Sequence, residues 1–522
     1  MRRLLLLLVP LGLVAAMSCN TTESGTLQLV YGEDNPFDSS DTPAPTSILI
    51  AAATENPEGG PILDGGWSPP KPLVQSAYPV STLNLPQEGT DDVDRFEVTL
   101  FDSADAAIIF GNTLPVQLEL ISSLPGLDIF VQRTGEFARL PSPFLSVPLS
   151  PIASVLEERF VLVADGSGSP GATVAQLYDL LLWGLVQMPD GGMGALTLPC
   201  PPLSIAPITG TTFVLLVCNT EVDGDLVAYG IDISGTFAAA TVPASGGTWR
   251  DIAGGSTVVS PDGDVFIVGA TRSPQGPVHG PTTEVLRLPV AAELVVDGGV
   301  DGGPVAVNSS FFNLTYAREG AAAVWSAPEH GLVIIGGNSD AGDPGIEYFP
   351  SERATEANAG SPVPSVILTT SAYDPTQGAG ATAIGDTQIL VAGGTLPDGS
   401  AAPVRLFDLA GGSLVDCGVT SDAAAGTPVG VPLLTAEGFT QPGADPMFIG
   451  MEKDGATHAF LVPLTQATMC PSTPIEVPLR VPNRKGTTAI LSPLPSVLVM
   501  GGDTTDGGNT IESYIPVPDA SR

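Results

Sequence analysis

QILVAGGTLPDGSAAPVRLFDL, residues 388–409, sets an unbroken apolar run against a diglycine, a polar Gly/Asp/Pro loop and a second apolar run that holds Phe407 beside Asp408. The same order recurs in GLVIIGGNSDAGDPGIEYFP from Gly331 and in SVLVMGGDTTDGGNTIESYIP from Ser496. Weaker copies, without the full diglycine, begin at Phe160, Phe213, Val265 and Met447. Aligned on Ala164, Cys218, Gly269, Gly336, Gly393, Gly450 and Gly501, the seven copies are spaced by 54, 51, 67, 57, 57 and 51 residues. A period of about 50 residues signals an array of like supersecondary units. Unbroken Val/Ile/Leu runs mark strands buried on both faces, which a half-exposed strand would not show. Glycine then ends each run, where the backbone needs positive φ or passes too close to its neighbour for a side chain.

The three clear copies resemble kelch repeats. Gly336-Gly337, Gly393-Gly394 and Gly501-Gly502 fall at that family's hallmark position, and Tyr348, Phe407 and Tyr514 at its downstream aromatic. The resemblance implies an all-β chain, a seven-bladed kelch-like β-propeller, with galactose oxidase among its architectural relatives. Small-residue strands precede three copies, in REGAAAVW from Arg318, RKGTTAIL from Arg484 and RDIAGGSTVV from Arg250. The resemblance makes each an innermost strand opened by an arginine; read from the residues alone, each is an ordinary surface arginine. Few residues follow Tyr514, so the last sheet needs a strand from upstream, and Ile129 to Leu140 is the candidate. Such closure removes sheet edges that would otherwise be exposed to aggregation.

Composition agrees with many short strands joined by turns: 61 Gly, 51 Pro, 43% hydrophobic and 14% charged residues in 522. Disordered chains are depleted in Val, Ile and Leu, and this one is rich in them. The net charge of −38 opposes binding to nucleic acid or anionic head groups. It suits a soluble acidic surface, or adaptation to high salt or divalent cations.

Met1, Arg2 and Arg3 precede an apolar stretch, Leu4 to Met17, that is too short to span a bilayer and reads as an export signal. Ala16-Met17-Ser18-Cys19 resembles a bacterial lipobox, although Ala16 stands where Leu is usual. The resemblance implies a lipid on Cys19 and, with Asn20 after it, an outer-membrane or cell-surface location; ordinary cleavage would leave a periplasmic or secreted protein. The expected division is a signal peptide over 1–18, a β-sandwich-like domain with a short tether over 19–136, and the propeller over 137–522. In the N-terminal part, Arg95 to Phe101 alternates polar with apolar. Other strand candidates are Leu27 to Tyr31, Ser47 to Ala51, Ala107 to Phe110, Val116 to Ile121 and Asp128 to Gln132. A rival reading makes the run from Ala106 an eighth blade, since Gly111 lies 53 residues before Ala164.

Cys200, Cys218, Cys417 and Cys470 allow three disulfide pairings in an oxidising compartment. No CxxC occurs, and His279, His330 and His458 stand far apart, so no zinc or copper set can be assigned. The loops Asp297 to Gly303 and Asp503 to Asn509 read equally as tight turns or as calcium loops. No GxSxG elbow or P-loop is present, and Ser245 to Trp249 lacks the aspartate of a sialidase Asp-box. The expected function is a non-catalytic binding or scaffolding module without a cofactor, meeting protein or carbohydrate at the cell envelope and touching the membrane only through its lipid. The alternative is a carbohydrate-active or oxidative enzyme using the central channel.

Overall fold

The computed structural model describes residues 26–38, 43–55, 67–80, 83–84, 93–117, 126–167, 174–186, 195–207 apart from 199, 213–222, 225–232, 237–240, 256–268 apart from 262, 281–288, 310–326, 331–338, 345–350, 363–368, 377–396, 402–409 apart from 403, 413–415, 433–441, 444–452, 455–464, 474–504 and 507–517. Within these the chain is all-β, its strands gathered into small sheets, and no sheet closes on itself. No helix among the described residues is long and apolar enough to cross a membrane.

Seven sheets follow one another from residue 151 onward. Their leading strands are Pro151–Leu156, Pro202–Pro207, Ser256–Val259, Ala322–Ser326, Gln377–Ile384, Thr435–Phe439 and Thr488–Leu491. In each sheet the second strand pairs antiparallel with the leading strand and with a third. The second strands are the apolar runs of the repeat. Val265–Val268, Gly331–Ile335 and Val497–Met500 are buried along their whole length, as expected for strands covered on both faces.

Neighbouring sheets share apolar cores. Leu162, Ala164 and Leu177 of the first sheet pack with Ile205, Val214 and Leu216 of the second. Ile335 and Ile346 of the fourth pack with Ile389, Val391 and Phe407 of the fifth. Each such side chain taken out of water stabilises the fold by about 1.5–3 kcal/mol. Polar contacts join neighbouring sheets as well. Thr257 donates to Ser204 at 3.0 Å, the Gly378 N–H donates to the Gly320 carbonyl at 3.2 Å, and Thr382 and Thr440 share a hydrogen bond of 2.7 Å. The first leading strand touches both the second and the seventh.

The leading strands are rich in Gly, Ala, Ser and Thr because they approach one another closely. A Cβ at Gly380 would lie 2.7 Å from the Ala436 carbonyl oxygen, and one at Gly438 would lie 3.1 Å from that of Ala381. The diglycines have a local cause as well. Gly336, Gly337, Gly393, Gly394, Gly501 and Gly502 all have positive φ, between 64° and 90°, a conformation that L side chains rarely adopt.

The last sheet is completed from upstream. Phe137–Arg139 pairs antiparallel with Ile511–Tyr514, which uses only the end of the segment expected to do so. That segment also serves two other sheets. Leu127–Phe130 lies parallel to Thr26–Val30, and Gln132–Arg133 pairs with Ala107–Asn112. Ala107–Asn112 therefore belongs to a six-stranded N-terminal sheet, not to an eighth repeat. This sheet and a three-stranded one share a core of Leu27, Ile48, Ile50, Phe96, Val98, Leu100, Leu127 and Ile129. Val93–Phe101 buries every second residue, as its alternation requires. Lys71–Ala77 is an additional strand that the sequence pattern did not mark; it lies at the sheet edge, where Pro72 is tolerated.

Candidate functional site

The residues singled out in the sequence are mostly held for structural reasons or lie outside the described set. Cys19, His279, His330, Cys417, Cys470, Arg250 and the loop from Asp297 are outside it. Cys200 is disulfide-bonded. His458 lies between two carboxylates, with Nδ1 2.9 Å from Glu476 and Nε2 3.7 Å from Glu452. Among the described residues no group of three His, Cys, Asp or Glu is arranged to hold a metal ion.

Arg318 and Arg484 are not surface arginines. Both are fully buried and paired with buried glutamates. Arg318 reaches Glu347 at 2.7 Å and donates to the carbonyls of Gly336 and Gly345, while Thr315 and Tyr316 N–H groups complete the shell of Glu347. Arg484 stands 3.3 Å from Glu512 and donates to the Thr510 carbonyl and hydroxyl. Burial pushes the Glu512 carboxyl up against the pull of Arg484, and burial pushes Arg484 down against the pull of Glu512. Arg318, at the end of Ser310–Arg318 in the third sheet, and Arg484, ahead of Thr488–Leu491, each tie the chain entering a leading strand to the loop and third strand of the sheet that this leading strand opens.

Two features are open to solvent as well as tied to the fold. The first is the connector from Pro141 to Ser150, which crosses from the last sheet to the first. Its backbone is fastened throughout. Gln176 accepts from the N–H groups of Leu145 and Ser146, Asp165 accepts from Leu149 and Ser150, and the Pro148 carbonyl accepts from Gly502. Burial pushes the Asp165 carboxyl up, but hydrogen bonds from Ser167, Leu149 and Ser150 outweigh it and hold it below the usual range. Phe144 is sunk in the core, whereas Leu145, Val147 and Leu149 are 54%, 39% and 50% exposed. Three aliphatic side chains at alternate positions of a fixed backbone are thus open to solvent.

The second feature is Glu437. The seven leading strands read PIASVL, PLSIAP, STVV, AAVWS, QGAGATAI, TAEGF and TAIL, and Glu437 is their single ionisable residue. It lies between the leading strands of the fifth and seventh sheets, its backbone close to Gly380 and its carboxylate accepting from the Ala489 N–H. The leading strand of the seventh sheet is hydrogen-bonded on one side only, so this N–H needs a partner. Glu437 and Thr435 are exposed, yet desolvation pushes the Glu437 carboxyl from 4.5 up to about 7, the Ala489 N–H pulling the other way. Solvent access and desolvation coexist where a side chain opens on a confined space. Neither feature was marked in the sequence; the carboxylate in TAEGF stands out only once that segment is aligned with the other leading strands.

A carboxyl raised by folding has a defined pH signature. Its contribution to stability is fully present below 4.5 and declines as pH rises through about 7. Thermal melts of the wild type and Glu437→Gln should therefore diverge across this interval, with the wild type losing stability relative to the variant as pH rises. Parallel profiles would show that Glu437 is solvated like a surface carboxylate.

No protein-family model and no curated protein sequence matches the chain. Among solved structures, a protein from Bacteroides uniformis ATCC 8492 described as a candidate 6-phosphogluconolactonase matches with 13% identity and a TM-score of 0.35, over 83% of this chain and 97% of that one. At that identity and TM-score the likeness assigns neither fold nor activity. The expected kinship with kelch and galactose oxidase-like proteins is corrected by these findings. The diglycines that suggested it answer a local demand, positive φ at a strand end beside a close neighbour, which any sheet turned in this way would share.

Proposed function

We propose that the seven sheets stand as blades around a common axis, with the two N-terminal sheets attached as a sandwich over about 19–136, and that the protein is a non-catalytic binding module. In this reading a lipid on Cys19 holds it at the outer membrane or cell surface, and its partner is a protein. The ring is supported by contacts between leading strands that run from the third sheet to the seventh and on to the first and second, and by the Thr257–Ser204 hydrogen bond that joins the second to the third.

The binding role is carried by Leu145, Val147 and Leu149. Exposed apolar groups on a backbone already ordered by hydrogen bonds lose little further entropy on docking, and a contiguous exposed apolar feature marks an interaction surface. The net charge of −38 selects a partner whose aliphatic contact patch is flanked by Lys and Arg.

A photo-crosslinker placed at Val147 in the full, membrane-held chain tests this in intact cells. The expected product is a protein adduct that disappears when Leu145 and Leu149 are changed to serine and weakens in high salt. An adduct unaffected by those changes, or an adduct to glycan in place of protein, overturns the assignment. Turnover of an oligosaccharide by the purified protein overturns the non-catalytic reading. Detergent-phase partitioning that does not depend on Cys19 overturns the anchor.

A further inference from the structure

We propose that the space enclosed by the seven leading strands binds an alkylammonium group on the carboxylate of Glu437, an inference that rests on the ring arrangement proposed above. Four observations converge on it. Glu437 is the single charge that those strands carry, so a ligand entering between them meets one fixed anion on walls of Gly, Ala, Val, Ile, Ser and Thr. It is exposed, so the carboxylate is within reach of a solute. The elements packed against its strand, the leading strands of the fifth and seventh sheets and the second strands of the fifth and sixth, bring no titratable side chain, and its hydrogen-bond partner there is the Ala489 N–H. Among the described residues the site lacks the three ligands that a metal ion needs.

An anion half withdrawn from water and without a countercharge is a poor ground state. It recovers by taking a proton or by accepting a cation. Between low-dielectric walls the attraction for a cation is several-fold stronger than at an open surface. Thr435, two residues earlier on the same face of the strand, is also exposed and offers a hydroxyl to a second ammonium hydrogen. The aliphatic walls suit the methylene chain behind the charge.

The test uses 1,5-diaminopentane as probe and 1,5-pentanediol as its neutral counterpart, with the full-length protein in 0.15 M salt to screen the acidic exterior. Calorimetry should show one site for the diamine and none for the diol. Because the ionised form binds, affinity should rise about tenfold from pH 6 to pH 8, following the ionised fraction of a carboxyl titrating at about 7. Glu437→Gln, shown by its melting curve to be folded, should abolish the site, and Glu437→Asp should restore part of it.

Diamine binding that survives in Glu437→Gln, or that is matched by the diol, overturns the inference. So does the absence of binding. An experimental structure of the free protein separates this failure from that of the ring. If the leading strands enclose no common space, the ring and this inference fall together; if they do and the diamine does not bind there, the inference alone falls.

Discussion

Arg484→Ala should lower the free energy of unfolding by about 3–5 kcal/mol, the cost of stranding a buried charge whose partner has been removed. Glu512 is the stranded group. It is fully buried, and besides Arg484 it holds the N–H groups of Arg480 and Val481, at 2.6 and 3.1 Å. The loss should be deeper at pH 8 than at pH 5, because burial already pushes the Glu512 carboxyl up and removing the cation raises it further. Stability lost through a raised carboxyl pKa is lost on the alkaline side. The double variant Arg484→Met/Glu512→Leu separates charge from packing, since replacing a whole buried pair with apolar groups is often neutral or stabilising. Recovery of most of the lost stability is the expected result. A single variant as stable as the wild type in urea denaturation would mean that the pair is solvated and does not hold the seventh sheet together.

Phe137→Ala should cost a comparable amount, about 3–5 kcal/mol, because a fully buried aromatic leaves a cavity that its surroundings fill only in part. Phe137 packs against Tyr514, ring centre to ring centre 5.3 Å, and lies in one core with Met447, Ile449, Val497 and Val499. Its removal therefore loosens the sixth sheet, the seventh, and the strand by which the N-terminal part completes the last sheet. Val517→Ala is the control: that side chain is 58% exposed, and such surface changes usually fall within about 0.5 kcal/mol. Urea denaturation followed by tryptophan emission is a direct readout, since Trp183 packs on Phe130 where the N-terminal sheets meet the first. A loss below about 1 kcal/mol would show that Phe137–Arg139 is a dispensable edge.

Much of the framework was legible because burial on both faces forces a sequence signature. The runs at Val265, Gly331 and Val497 could not be anything but apolar, and the alternation from Val93 to Phe101 could not arise in a strand with two like faces. Lys71–Ala77 escaped notice because an edge strand is free of both demands and can hold a proline. The arginines were legible as a recurrence but not as a role: Arg318 and Arg484 reveal their burial only with Glu347 and Glu512 opposite them, 29 and 28 residues later in the chain. The glycine pairs misled for the opposite reason, being a strong local signal shared by unrelated sheets with the same turn. Glu437 and the exposed Leu145, Val147 and Leu149 are defined by what stands beside them in space, and no local pattern carries that.

The segment from residue 126 to 139 has a further consequence for the history of each molecule. Gln132 donates to the Ser513 carbonyl, across 381 residues of chain, and the strand that follows, Phe137–Arg139, waits for Ile511–Tyr514, which is synthesised long after it. Contacts of such long range make folding slow, and in the interval this strand presents an unpaired edge to any other nascent copy. Swapped pairs of molecules, each completing the other's final sheet, are the characteristic error that this arrangement invites, and dilution during refolding should suppress them.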